Sequence, residues 1–137
     1  MRERPNDIPA GEGVYSDTVI DHATRPRNVG TLEGADGVGA DGDPVYGNQV
    51  RISIRVAAGA VQAARFKAFG CSATIAAASM ATTLATGATL SAARAVDAAA
   101  IERALGGLPA EKRYCATVAA GALHRALDAC QGLSGEG

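Results

Sequence analysis

Two of the three cysteines stand where a thiol could do chemistry. Cys71 directly precedes a predicted helix. Cys115 stands near another predicted helix start, where Lys112 and Arg113 add positive charge. At such a position, unpaired backbone amides and the positive end of the helix dipole favour the thiolate, the form of cysteine that binds metals and attacks sulfur. Both thiols are therefore predicted to be activated.

Each thiol also has a structural interpretation, because a free cysteine is usually a small buried apolar residue. Position alone leaves both interpretations open for Cys71 and Cys115. Cys130 lies on the apolar stripe of the last predicted helix and is predicted to be a core residue. His22 and His124 have no partner at metal-ligand spacing, so we expect them to be solvated on the surface.

The middle of the chain has the pattern of a β-hairpin. Apolar and polar residues alternate from Gln49 to Val56, which predicts a strand with one buried face. Ala57-Ala58-Gly59 predicts a turn, and Val61 to Phe69 alternates again. The preceding segment, Gly30 to Gly47, is rich in glycine and aspartate and is predicted to be a flexible loop in which only a short irregular strand would fit.

Helices are predicted on both sides of the hairpin. A short one should begin after the N-cap Ser16 and end at Arg25-Pro26, because the residue before a proline disfavours helix. Three further stretches are Ser72 to Ala85, closed by Gly87; Ser91 to Leu105, with a candidate break at Asp97; and Glu111 or Cys115 to Cys130. Strands followed by helices indicate an α+β domain, a small antiparallel sheet with helices packed on one face.

The composition indicates one globular domain, since 47% of the 137 residues are hydrophobic and 20% are charged. We predict a domain over residues 14–130 with mobile tails at 1–13 and 131–137. A net charge of −1 gives nucleic-acid binding no electrostatic support. No apolar run approaches the roughly 20 residues that cross a bilayer, so we expect no membrane partner. Three scattered cysteines do not make a disulfide framework, which favours a reducing cytoplasm.

Three separated stretches carry a family resemblance: Tyr15 to His22 with Arg25 to Gly30, Ala64 to Ala73, and Leu108-Pro109 through Lys112 to Cys115. In this order and at these separations, they resemble the IscU and NifU-like scaffolds on which iron–sulfur clusters are assembled. The resemblance implies a scaffold, not an enzyme, that takes sulfur from a cysteine desulfurase, takes iron from a donor and builds a [2Fe-2S] cluster. The family's chaperone-docking stretch, Leu-Pro-Pro-Val-Lys, is Leu-Pro-Ala-Glu-Lys at 108–112, so a chaperone is a further implied partner.

The resemblance also exposes departures from the family pattern. In the family's loop motif, Gly-x-Pro-x-Cys-Gly-Asp, Tyr46 stands at the ligand cysteine and Asn48 at the aspartate. Tyr114 stands at the histidine of the His-Cys pair before the last helix. Only Cys71 and Cys115 match cysteine ligands of the family, which makes them the implied metal and cluster ligands.

Three functions remain open for this altered site. In the first, a symmetric dimer encloses a [2Fe-2S] cluster between two copies of Cys71 and Cys115, with Tyr46 and Asn48 as pocket walls or weak oxygen ligands. Zinc is expected to bind less well, because asparagine is a poorer ligand than aspartate. In the second, the chain is a degenerate homologue that acts as a docking or regulatory module. In the third, it carries a persulfide that Cys115 accepts and Cys71 resolves. We expect the two cysteines to lie together, near the loop of Tyr46 and Asn48.

Overall fold

The computed structural model describes residues 15–130. Within this range the chain forms three strands and five α-helices: α1 Asp17–Thr24, β1 Gly37–Asp43, β2 Asn48–Ala57, β3 Ala60–Phe69, α2 Ser72–Ala85, α3 Leu90–Arg94, α4 Ala98–Leu105 and α5 Arg113–Ala129. A 3-10 turn, Ala110–Lys112, leads into α5. The predicted tails at 1–13 and 131–137 lie outside the described residues. None of the described helices is long and apolar enough to cross a membrane.

The strands form one antiparallel sheet in the order β1-β2-β3. The predicted hairpin is confirmed, because β2 pairs with β3 around a turn in which Ala58 and Gly59 adopt φ values of 53° and 76°. Val50, Ile52 and Ile54 alternate along β2 and are at most 1% exposed. Helices α2 and α5 pack against the sheet. The predicted α+β class is therefore confirmed.

Strand β1 corrects the prediction of a flexible loop from Gly30 to Gly47. It pairs with β2 in an unbroken register from Gly37 to Asp43. Its glycines allow α5 to approach closely: a Cβ on Gly39 would lie 2.2 Å from the Ala126 nitrogen, and one on Gly37 would lie 2.2 Å from the Ala126 oxygen. The glycines therefore serve packing between a strand and a helix, which local sequence does not distinguish from loop flexibility.

The core lies between the sheet and the two long helices. Helix α2 is rich in small residues, and its Ala73, Ala76, Ala77, Ala78 and Ala81 are all 0% exposed. The predicted stripe of α5 is also buried, with Leu123 at 0% and Leu127 at 1%. Cys130 is 1% exposed and its thiol donates to the Ala126 carbonyl at 3.3 Å, so the predicted core role of this cysteine is confirmed.

The predicted break at Asp97 is also confirmed. The stretch from Ser91 to Leu105 contains the end of α3 and all of α4, and Asp97 caps α4 by accepting the Ala100 amide at 2.9 Å. Gly106 ends α4 in the left-handed conformation, with a φ of 83°. The break directs α4 against α5, the helix that carries Cys115.

Both histidines depart from the predicted surface location. His22 is buried, and its Nδ1 lies 2.7 Å from the Ser79 hydroxyl oxygen on α2. The Ser79 oxygen also accepts the Arg27 amide at 2.9 Å. Burial lowers the pKa of His22, which favours its neutral form. His124 is half-buried, with its Nε2 2.8 Å from the Val96 carbonyl oxygen. Both histidines thus join elements that lie far apart in sequence.

Candidate functional site

Gly70 allows β3 to turn directly into α2. Its φ is 150°, and a Cβ at this position would lie 2.8 Å from the Thr74 hydroxyl and 2.9 Å from the Asn48 Cβ. The next residue, Cys71, is the N-cap of α2, and its carbonyl accepts the amides of Thr74 at 3.0 Å and Ile75 at 3.2 Å. The Cys71 side chain makes no capping hydrogen bond, so its sulfur is available for other contacts.

Cys115 brings the second sulfur to the same place. It lies in the first turn of α5 and is 0% exposed, whereas Cys71 is partly exposed. The two sulfur atoms are 3.8 Å apart, although 44 residues separate them in sequence. The structure therefore brings Cys71 and Cys115 together at one end of the domain, where α2 and α5 begin.

Thr74 is a site residue that the sequence analysis missed. Its hydroxyl donates to the Cys115 sulfur at 3.4 Å and lies 3.6 Å from the Cys71 sulfur. The same oxygen accepts the side-chain amide of Asn48 at 3.2 Å. Its spacing is the signal that could have found it, because a residue three positions after an N-cap faces back toward the cap.

Asn48 supports the loop that precedes β2. It is 2% exposed, its Nδ2 donates to Thr74, and its Oδ1 accepts the Asp43 amide at 3.1 Å. Asp43 in turn accepts the amides of Val45 at 2.9 Å and Tyr46 at 3.3 Å. Both polar atoms of the Asn48 amide are thus engaged in holding the loop that carries Tyr46.

Tyr46 and Tyr114 lie against each other beside the thiols. Their ring centroids are 4.0 Å apart and their planes differ by 16°, so the rings are stacked. Tyr46 is 60% exposed on its loop, whereas Tyr114 is partly buried at the start of α5. Burial and the two cysteine sulfurs raise the pKa of Tyr114, which keeps its hydroxyl protonated. Tyr114 thus interacts with both cysteines, Tyr46 stacks on Tyr114, and Asn48 reaches the site through Thr74.

The pKa values of the two thiols shift in opposite directions, so the prediction that both thiols are activated is wrong for Cys115. A hydrogen bond from Cys115 lowers the pKa of Cys71 to about 4, with help from Thr74 and the charge of Lys112 and against the effect of burial. Donating that hydrogen bond, together with burial, raises the pKa of Cys115. The contact therefore favours the thiolate on Cys71 and the protonated thiol on Cys115.

The basic residues at the start of α5 also differ in what they do. Lys112 contributes to the low pKa of Cys71. Arg113 instead pairs with Glu102 on α4, with its Nε 3.1 Å from a carboxylate oxygen. The charge of Lys112 therefore acts on Cys71, while the charge of Arg113 is paired with Glu102.

The comparisons with known proteins agree with this architecture. The model of the NifU-like N terminal domain matches residues 14–135. The chain belongs to this family. Scaffold protein IscU 1 of Archaeoglobus fulgidus, named for iron–sulfur cluster assembly, is 47% identical over 114 residues, which cover 83% of this chain and 74% of that protein. Scaffold protein IscU of Azotobacter vinelandii, named for the same process, is 39% identical over 117 residues, 82% of this chain and 91% of that one.

The fold is shared with a solved structure. A NifU-like N-terminal protein from Brucella abortus superposes with a TM-score of 0.67 at 16% identity, over 85% of this chain and 94% of that one. The family model and the two relatives confirm the resemblance to IscU and NifU-like scaffolds that was inferred from three motifs.

This NifU-like domain has a sparse donor set for metal. Among residues 15–130, no three histidine, cysteine, aspartate or glutamate side chains cluster in a way that could hold an ion. The donors that converge are the Cys71 and Cys115 sulfurs, with the hydroxyl of Thr74 beside them. One chain thus presents a dithiol rather than a complete metal site.

Proposed function

We propose that this chain is an iron–sulfur cluster assembly scaffold and that Cys71 and Cys115 bind iron while a cluster forms. The observation that carries the proposal is the 3.8 Å separation of their sulfurs. Two thiolates that bind one tetrahedral metal at about 2.3 Å lie about 3.8 Å from each other. The pair therefore needs little rearrangement to chelate one iron. The names of the relatives, scaffold proteins for iron–sulfur cluster assembly, support the cluster as the cargo.

Two copies of the chain would complete the ligand set. Iron–sulfur clusters are commonly held by four cysteines, and this site offers two per chain. We therefore propose a [2Fe-2S] cluster bridged across a two-fold interface. Tyr46 and Asn48 act as walls in this arrangement, because the ring of Tyr46 is stacked and the amide of Asn48 is hydrogen-bonded. Zinc in a single chain would lack two of its usual four ligands and would bind less tightly.

The partners follow from the cargo. Cluster assembly needs a source of sulfur, for which we propose a cysteine desulfurase, and a source of iron. The segment before α5 keeps Leu108, Pro109 and Lys112 of the family's chaperone-docking stretch, which supports a chaperone as a further partner. The chemistry requires reduced thiols, so we place the protein in the cytoplasm.

Iron and sulfide analysis of the purified protein tests the proposal. Protein isolated without oxygen and reconstituted with ferrous iron and sulfide should retain both elements after desalting, with the visible absorption of a cluster. The Cys130→Ser variant is the matched control, because its sulfur lies in the core away from the site.

Failure to retain iron and sulfide would favour a docking or regulatory module without a cluster. If neither the wild type nor the control retains iron, while the apo protein still binds a desulfurase, the chain acts as a docking or regulatory module. No contact among the described residues favours that alternative over the scaffold.

A further inference from the structure

The two sulfurs of the site differ in accessibility. Cys71 is partly exposed, whereas Cys115 is 0% exposed. A persulfide carried by another molecule can therefore reach Cys71 but not Cys115. We infer that Cys71 accepts sulfane sulfur from a persulfide donor and that Cys115 then attacks Cys71, which releases sulfide and closes a Cys71–Cys115 disulfide. This inference rests on the proposed function and deepens it by naming how the sulfide of the cluster arises.

The first step transfers sulfur without net oxidation of the protein. The Cys71 thiolate attacks the terminal sulfur of a donor R–S–SH. A bond forms between the Cys71 sulfur and that terminal sulfur, the S–S bond of the donor breaks, and R–S⁻ leaves with the electron pair. Cys71 then carries a persulfide, and its outer sulfur has not yet been reduced.

The second step supplies the two electrons. The Cys115 thiol gives its proton to solvent, and its sulfur attacks the inner sulfur of the Cys71 persulfide. A bond forms between the two cysteine sulfurs, the persulfide bond breaks, and HS⁻ leaves with the electron pair. The two cysteines are oxidised to a disulfide and the sulfane sulfur is reduced to sulfide. A dithiol reductant must then restore the pair before another round.

The geometry of the pair fits this order of events. The sulfurs already lie 3.8 Å apart, and a disulfide bond brings them to about 2.05 Å. The hydroxyl of Thr74 contacts both sulfurs and holds them on the same side of α2. Tyr114 adjoins Cys115 in sequence and lies partly buried against the core. If Cys115 accepted the sulfur instead, the donor would have to reach a side chain that is 0% exposed. The structure therefore favours Cys71 as the acceptor and Cys115 as the residue that releases the sulfide.

The same two sulfurs cannot bind iron while they form a disulfide. Sulfide release and iron binding by one chain would therefore alternate, with the external dithiol resetting the pair between them. Cluster growth would then need reductant in proportion to the sulfur delivered.

Mass spectrometry of the iron-free protein tests the inference. Fully reduced protein is mixed anaerobically with glutathione persulfide, and both the released sulfide and the intact mass are measured. The wild type should release one sulfide per chain and lose about 2 Da as the disulfide closes, with a peptide that links Cys71 to Cys115. A wild type that instead gains a stable adduct of about 32 Da, with no linked peptide, would overturn the role of Cys115.

Variants separate the two steps. Cys115→Ser should accumulate the adduct on Cys71 and release only the small amount of sulfide that free glutathione produces. Cys71→Ser should gain no adduct, and an adduct on Cys115 in this variant would overturn the assignment of the acceptor. Cys130→Ser should behave like the wild type. The mass of the wild type alone decides the second step, so the test does not depend on a variant that folds poorly.

The assay contains no iron, so its outcome is independent of cluster binding. A wild type that reconstitutes a cluster from inorganic sulfide but forms no disulfide with the persulfide would leave the scaffold proposal standing and remove this inference. A wild type that forms the disulfide but never retains iron would support the sulfide-release step and remove the scaffold proposal.

Discussion

The rings of Tyr46 and Tyr114 stack with their centroids 4.0 Å apart, at two positions that the motif resemblance aligns with metal ligands. One ring comes from the loop before β2 and the other from the start of α5. Such a pair stabilises the contact between loop and helix by about 0.5–1.5 kcal/mol beyond the area that it buries. The stacked pair thus joins the loop before β2 to the start of α5 through an aromatic contact.

Restoring the family residues should restore tight metal binding. The double variant Tyr46→Cys with Asn48→Asp adds a thiolate and a carboxylate beside Cys71 and Cys115, which completes four ligands in one chain. We expect zinc to bind at least about tenfold more tightly than to the wild type. Isothermal titration calorimetry measures the change.

Tyr46→Cys alone is the control for that experiment. It adds the thiolate but keeps the Asn48 amide, which remains hydrogen-bonded to Thr74 and Asp43. It should therefore gain less affinity than the double variant. A folded double variant that binds zinc no better than the wild type would show that the departures are not what weakens the site.

Thr74 should matter for both stability and thiol chemistry. In Thr74→Val, the side-chain amide of Asn48 loses its acceptor and both sulfurs lose a hydrogen-bond partner. An unsatisfied buried polar group costs about 1–3 kcal/mol, so urea denaturation should show a loss of that size. Thr74→Ser keeps the hydroxyl and should lose clearly less. A loss in Thr74→Ser with none in Thr74→Val would mean that the methyl group, not the hydroxyl, supports the site.

The pH dependence of Cys71 alkylation should reveal the shared proton. Because the pKa of Cys71 is lowered to about 4, its thiolate persists as the pH falls and disappears only as the pH passes through that value. The rate with iodoacetamide should therefore change little between roughly pH 8 and pH 5. Cys115→Ala removes the main donor to the thiolate, so the fall should move to higher pH. A wild-type alkylation rate that already decreases as the pH drops below roughly 8 would show that Cys71 has an ordinary thiol pKa.

Close packing of β1 on α5 predicts an intolerant glycine. Gly39→Ala would place a Cβ 2.2 Å from the backbone nitrogen of Ala126, so the strand and helix must separate. We expect a loss of about 3 kcal/mol in the free energy of unfolding. Gly34→Ala is the matched control, because a Cβ there meets nothing within 4 Å and the cost is only that of a φ of 67°, about 1–2 kcal/mol. A smaller loss at Gly39 than at Gly34 would contradict the packing argument.

The hairpin could be predicted because its signal is local. Alternation from Gln49 to Val56 and a glycine turn determine which residues face the core, and the structure agrees. Strand β1 could not be predicted, because Gly37 and Gly39 owe their type to close packing against Ala126 of α5, which lies more than 80 residues later in the chain. The burial of His22 has the same origin, since its partner Ser79 lies 57 residues away.

The candidate site was also predictable only in part from the sequence. The cysteines could be named from helix starts and from the family motifs, but only the fold shows that 3.8 Å separates their sulfurs. The opposite directions of their pKa shifts follow from that contact and from the burial of Cys115, neither of which is local information. Thr74 was missed because a threonine inside a small-residue helix has an ordinary core role until its partners are known.

The number of site cysteines determines how many chains must hold one cluster. With two site cysteines per chain, a cluster held by four thiolates requires a second copy. Reconstituted wild type should therefore elute as at least a dimer in size-exclusion chromatography with light scattering, with about two irons per two chains. In a symmetric dimer, Cys71→Ser or Cys115→Ser removes two of the four thiolates at once. Each single change should abolish the cluster, whereas Cys130→Ser should keep both the cluster and the dimer.

Two outcomes would contradict the bridged arrangement. A monomer that carries the cluster would mean that Tyr46, Asn48 or an external thiol completes the ligand set. A cluster that survives Cys115→Ser would mean that the buried sulfur is not a ligand. Removal of iron with a chelator provides a further check, because a dimer held by the cluster should dissociate as the iron leaves, whereas a dimer held by protein contacts should persist.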